Sequence, residues 1–153
     1  MPPPAPAPEI HGDWQVACAD RATGNYCSLV QQQTNAGRQR VLAIELTRVG
    51  NAAEGMLVLP FGLNLERGAR LSVDAEGEGK ASTEALPALR FSTCIPAGCL
   101  VPLKFAPALI AQLRTAALLK VQATTVDGGE TAVFSISLRG FDEAFDRVAV
   151  LKK

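Results

Sequence analysis

The sequence predicts a mainly β protein: an antiparallel β-sandwich with one or two short helices, including a C-terminal amphipathic helix. Three observations predict it. Short segments between Trp14 and Leu138 alternate apolar and polar residues, the period of a strand with one face on a core. Turn residues separate these segments at close intervals, as in sandwiches and barrels. An apolar stripe at helical spacing, Phe141, Ala144, Phe145 and Val148, closes the pattern.

The first eight residues, MPPPAPAP, hold five of the ten prolines. Proline fixes φ and lacks the N–H, so this stretch forms neither helix nor ladder. Residues 1–9 read as a disordered proline-rich tail, and 10–153 as a single domain. His11 falls between that tail and the first strand and is expected to be partly exposed and dispensable. In Arg40–Thr47 the apolar face is Leu42, Ile44 and Leu46. Met56–Leu59 should end at Pro60, which cannot extend a ladder. Ala69, Leu71 and Val73 form another apolar face, and Leu119, Val121 and Ala123 a third. Ala132, Phe134, Ile136 and Leu138 form a fourth. Turn signals stand at Asn35–Gly37, Arg67–Gly68, Glu76–Gly79 and Asp127–Gly129, the last marking a hairpin. Pro107 opens a helix whose inner side is Leu109, Ile110 and Leu113. Gly140 breaks strand from helix. Asp142 and Glu143 then occupy the first turn, where the helix dipole favours acids.

At 153 residues one domain is favoured over two. A content of 48% apolar and 20% charged residues excludes global disorder. Fifteen basic residues balance fifteen acidic ones, which argues against a nucleic-acid partner. No apolar run approaches the ~20 residues that span a bilayer, so no transmembrane segment is expected. One histidine leaves little room for a Ser–His–Asp site or a histidine-rich metal site.

Four cysteines in two local pairs fit disulfides and an oxidising compartment. Three connectivities are open. The local one, Cys18–Cys27 with Cys94–Cys99, is preferred because short loops close most readily. Each bridge would contribute about 2–3 kcal/mol by restricting the unfolded chain. A four-cysteine zinc site is disfavoured, since such sites use tighter pairs than either spacing here. Oxidised cysteines require export. No signal peptide is visible, so the expectation is that the export signal has been removed.

The search for chemistry returns little. Gly77-Glu78-Gly79 is a bare G-x-G without the strand, further glycines and helix start of a phosphate cradle, and reads as a turn. Asp142 and Asp146 stand four apart on the C-terminal helix and read as a solvated face, with Arg147 nearby. Ser92 and Ser135 have no visible base. Trp14 and Tyr26 are potential stacking residues, but Trp14, so close to Cys18, reads as core. No catalytic, metal-binding or cofactor-binding residue is assigned, and the ligand-binding residues stay unknown.

Several motifs together resemble a known family. Trp14, Val16 and Cys18 form W-x-V-x-C, with Cys27 next. Leu59-Pro60-Phe61-Gly62-Leu63 is followed by Leu65, Gly68, Leu71, Val73 and Asp74. Phe91, Cys94, Gly98 and Cys99 form F-x-x-C-x-x-x-G-C, and Leu138, Gly140, Phe141 and Ala144 form L-x-G-F-x-x-A. In this order the motifs resemble the invasion-associated locus B (IalB) family, exported proteins of Gram-negative bacteria. The resemblance covers residues 14 to 148. It implies a periplasmic or secreted location and supports both local disulfides. It further implies a role in bacterial contact with host cells, and it brings no catalytic motif.

Two functional classes follow. The first is a non-enzymatic, exported accessory or binding protein whose unknown protein partner lies in the envelope or on a host surface. The alternative is a small envelope enzyme or inhibitor using carboxylates in a cleft. A carboxylate with a strongly raised pKa in a deep cleft would favour the alternative. An apolar patch or an open strand edge would favour the first. The sequence specifies no oligomeric state.

Overall fold

The computed structural model describes residues 9–21, 24–34, 40–75 and 88–151. Twelve elements follow one another: β1 (Glu9–His11), β2 (Trp14–Arg21), β3 (Gly24–Thr34), β4 (Arg40–Val49), β5 (Ala52–Leu59), β6 (Ala69–Ala75), β7 (Thr93–Ile95), β8 (Gly98–Phe105), α1 (Pro107–Thr115), β9 (Ala116–Thr124), β10 (Thr131–Ser137) and α2 (Phe141–Leu151). The expected tail lies outside the described residues as far as residue 8, and Glu9 already belongs to β1. His11 therefore ends the first strand instead of preceding it. The turn signals at Asn35–Gly37 and Glu76–Gly79, and with them Gly77-Glu78-Gly79, also lie outside the described residues.

The strands form two open antiparallel sheets. One has seven strands in the order β1-β2-β3-β4-β5-β8-β7, and the other has three in the order β10-β9-β6. The period-two pattern decides which side of each strand faces inward. Trp14 and Val16 of β2, Leu42, Ile44 and Leu46 of β4, Val101, Leu103 and Phe105 of β8, and Leu119, Val121 and Ala123 of β9 are all buried. Ala69, Leu71 and Val73 of β6 join them in a single apolar cluster. On β10 the pattern is weaker: Ile136 is buried, while Ala132 and Phe134 are only partly so. β10 is an edge strand, and its N-terminal half passes beyond the core.

Edges of sheets invite unwanted pairing. The seven-stranded sheet ends in three-residue strands on both sides. β8 continues past β7, and there Pro102 and Lys104 are exposed. Proline on an edge strand turns its missing N–H outward, which blunts that edge without weakening the pairing with β5.

Both helices bury the stripes expected of them. Pro107 takes the start of α1, and Ile110 and Leu113 are buried while Leu109 is half-buried. α1 packs on β5, β6 and β9, and α2 packs on β2, β3 and α1. Phe141, Ala144, Phe145 and Val148 are essentially inaccessible to solvent. The Phe141 ring meets Trp14 edge-on at 5.3 Å and stacks with Phe145 at 5.7 Å. Burial of each large apolar side chain stabilises by roughly 1.5–3 kcal/mol, so this stripe holds α2 on the sheet. An isolated helix of that length would be marginal.

Candidate functional site

The carboxylates come first, because the enzymatic reading depends on them. Asp142 and Asp146 do share a face of α2, as helical spacing requires. That face stays more than half exposed to solvent and borders α1. Arg114 Nε lies 2.6 Å from Asp142 Oδ1, and its Nη2 lies 2.6 Å from Asp146 Oδ1. Arg114 and Arg48 also both approach the Phe145 ring, at 5.3 and 4.1 Å from its centroid. Arg48 donates from Nη1 to the Phe145 carbonyl at 2.8 Å. Arg147, read from sequence as the neighbour of the aspartates, instead holds Glu9 of β1 through two hydrogen bonds of 2.8 and 3.0 Å. The aspartates thus pin one helix to another.

The acids with displaced pKa values move opposite to a general acid's needs. Arg147, above all, lowers Glu9 below its ordinary value. The Ser137 hydroxyl, followed by the Arg139 guanidinium, lowers Asp13. Three surface grooves are open and shallow. One of about 470 Å³ is lined by Arg67, Gly68, Arg70, Gln122, Ala123, Thr124 and Thr131. Another of about 450 Å³ contains Glu54 opposite Lys104, and a third of about 330 Å³ lies beside Arg48 and Asn51. None of these three brings two carboxylates together. Ser92 Oγ donates to the Leu100 carbonyl at 3.4 Å, and Ser135 is an exposed edge residue. Among the described residues no group of three or more His, Cys, Asp or Glu is placed to hold a metal. No described helix is long and apolar enough to cross a membrane.

Where the sheets meet, an apolar tip stands out. The segment after β5 carries Phe61 and Leu65, and the β9–β10 hairpin carries Val126. Their exposures are 60%, 45% and 65%, high for large apolar residues. The chain fixes this tip by backbone bonds: Val126 N–H donates to the Gly62 carbonyl at 2.9 Å, and Asn64 N–H to the Thr124 carbonyl at 2.7 Å. Asn64 Oδ1 accepts from the amides of Glu66 and Arg67 at 3.1 and 3.3 Å, a local turn that aims the loop. Thr125 closes the hairpin, accepting from the Glu130 amide at 3.0 Å and donating to the Asp127 carbonyl at 2.9 Å. Sequence reasoning met Phe61, Gly62 and Leu65 as part of a family motif and missed the exposure of this stretch. The local signal was Phe61 and Leu65 in a segment rich in turn residues, away from any alternating strand.

The cysteines fall in the two local pairs. Cys18 and Cys27 are register partners across β2 and β3, and Cys94 and Cys99 across β7 and β8. Their sulfurs lie at disulfide distance, 2.12 and 1.97 Å. Trp14 is fully buried, as a core residue should be, and its indole is committed to the fold.

The fold and surface define a class: a two-sheet antiparallel β protein sealed by a C-terminal helix, with paired cysteines and an exposed apolar tip. The chain belongs to the invasion associated locus B (IalB) family, whose model matches residues 14–149. It is 38% identical over 147 residues to an invasion protein B homolog of Brucella abortus, covering 95% of this chain and 80% of that one. It is 30% identical over 148 residues to invasion protein B of Bartonella bacilliformis, covering 95% of this chain and 76% of that protein. The crystal structure of invasion associated protein B from Bartonella henselae superposes with a TM-score of 0.85 at 29% identity, over 95% of this chain and 97% of that one.

Proposed function

We propose that this chain is an exported, non-enzymatic accessory or binding protein of the IalB type, working in the periplasm or after secretion. Residues 10–153 act as one domain, with both local cysteine pairs oxidised. Its partner is a protein of the envelope or of a host surface. The observation that carries this reading is the exposed tip of Phe61, Leu65 and Val126, held rigidly by the backbone bonds to Gly62 and Asn64. Large apolar side chains left exposed on a surface are a feature of protein interaction sites. The family membership supports the same class, since the relatives carry the name invasion protein B.

The test compares wild type with Phe61→Asp/Val126→Asp in cross-linking on intact cells and in binding to cultured host cells. Both substitutions are at exposed positions, and each should leave the unfolding free energy within about 0.5 kcal/mol of wild type. The expected result is loss of cross-linked partner and of cell binding in the variant. Undiminished recovery of the same partner by the variant would overturn the reading.

A further inference from the structure

The two cysteine pairs differ sharply in their surroundings. Cys18–Cys27 lies between β2 and β3, beyond residues 14–16 where β2 pairs with β1 and before Leu29 where the pairing of β3 with β4 begins. Cys27 is fully buried and Cys18 packs against the core cluster. Cys94–Cys99 lies between β8 and the edge strand β7, and every residue of β7 is exposed. Cys94 therefore faces solvent, while Cys99 is buried.

The β7–β8 hairpin also has support besides its disulfide. Ile95 pairs with Gly98, which leaves Pro96 and Ala97 as the turn. Gly98 has φ +146° and sits so close to β5 that a Cβ would lie 2.5 Å from the Leu59 carbonyl oxygen. β8 pairs with β5 from Cys99 to Phe105, and Ser92 N–H donates to the Leu100 carbonyl at 2.8 Å. Opening this disulfide leaves that scaffold in place, whereas the other pair presents an attacking thiol with a half-buried Cys18 and a fully buried Cys27.

The geometry points to Cys94–Cys99 as a thiol-exchange site, one that an external dithiol opens while Cys18–Cys27 stays closed. This rests on the reading above that both pairs are oxidised. A thiolate of the dithiol bonds to Cys94 Sγ, the Cys94–Cys99 bond breaks, and Cys99 leaves as a thiolate. The second thiol of the reagent then loses its proton and attacks the reagent sulfur, releasing Cys94 as a thiolate. The reagent ends as a disulfide, and the cysteine pair has gained its two electrons. Cys99 stays buried opposite Cys94 on a paired strand, so reoxidation restores the same bond. The co-reactant is any small or protein dithiol able to reach the exposed edge.

The experiment treats the folded wild-type protein, without denaturant, with graded dithiothreitol. Free thiols are alkylated at intervals, and peptides carrying each cysteine are quantified by mass spectrometry. Before reductant no cysteine should be alkylated. Cys94 and Cys99 should then label at least about tenfold faster than Cys18 and Cys27, as access controls exchange. Glutathione used in place of dithiothreitol should be trapped on Cys94. Cys94→Ser/Cys99→Ser should lose the fast phase and keep the slow one. Equal rates, or earlier labelling of Cys18 and Cys27, overturn this inference alone. Four reactive thiols before any reductant overturn it together with the oxidised reading.

Discussion

Gly12 and Gly140 meet backbone to backbone, 128 residues apart in sequence. A Cβ on Gly140 would lie 1.8 Å from the His11 carbonyl oxygen and 2.8 Å from the Gly12 nitrogen, and one on Gly12 would lie 2.4 Å from the Arg139 carbonyl oxygen. Both glycines have positive φ, +61° and +88°. This corner is where β1 turns into β2 and where β10 hands over to α2. Asp13 N–H donates to the Arg139 carbonyl at 2.9 Å and completes the join.

Gly140→Ala is accordingly expected to cost at least about 2 kcal/mol, from a strained φ added to a backbone collision. Gly50 is the control. It has a similar φ, +61°, but nothing lies within 4 Å of its Cβ position, so Gly50→Ala should cost only about 1 kcal/mol. Urea denaturation of the two variants measures the difference. Equal costs would show that the close approach contributes nothing.

The elements of this fold were legible because their signals are local. Leu42, Ile44 and Leu46 announce a strand, and Phe141, Ala144, Phe145 and Val148 a helix, without reference to the rest of the chain. Gly140 was visible as a break between strand and helix, but its partner Gly12 was not, since nothing in His11-Gly12-Asp13 points 128 residues ahead. Arg114 was missed for the same reason: no spacing rule links it to a helix more than twenty residues away. Gln31 and Gln33 did leave a trace. Gln31 continues the inward positions of Cys27 and Leu29, and a polar residue on a buried face needs a partner. Its Nε2 donates to the Ser137 carbonyl at 2.9 Å, while Gln33 Nε2 donates to the Ser135 carbonyl at 2.6 Å. Trp14 Nε1 adds a third donor, to Ser137 at 2.8 Å. Side chains thus bridge the corner between β3 and β10 where the sheets stay open. The exposed tip was hidden because exposure is decided by what the rest of the chain fails to cover.

Phe141→Ala should cost about 3–5 kcal/mol, the range for emptying a fully buried aromatic site. It removes the edge-on contact with Trp14 and the stacking on Phe145 together. Asp142→Ala should cost at most about 1 kcal/mol, through one exposed ion pair and a dipole contribution. Chemical denaturation separates the two, and similar small costs would mean that α2 does not depend on its stripe.

Arg114→Met should destabilise by about 1–2 kcal/mol, since two exposed ion pairs and one cation–π contact are lost while most of the packing is kept. Asp146 above all, with Asp142, raises the Arg114 pKa above its ordinary value. The loss should shrink as salt is raised to about 1 M, where the screening length falls to about 3 Å. A salt-independent loss would assign Arg114 a packing role only.

The last expectation concerns acid. The Ser137 hydroxyl donates to Asp13 Oδ2 at 2.5 Å, and Arg139 Nη2 donates to Oδ1 at 3.1 Å. These bonds favour the carboxylate and hold its pKa below the ordinary value, against a smaller opposing push from desolvation. The unfolded chain titrates this group near about pH 3.9. A folded pKa below the unfolded one means that the charged form stabilises the fold at pH values above about 4. That contribution is lost as pH falls through the folded value. Asp13→Asn keeps the shape and removes the charge. Its stability deficit should therefore be constant from about pH 5 to 7 and shrink steadily below about pH 4. Because Asp13 is more than a third exposed, solvent screening keeps the deficit under about 1 kcal/mol. Glu9 shifts in the same direction, but it is present in both proteins and cancels in the difference. Urea midpoints for wild type and Asp13→Asn across this range provide the measurement. A deficit that stayed flat or widened on acidification would show that the Ser137 and Arg139 contacts do not favour the charged form.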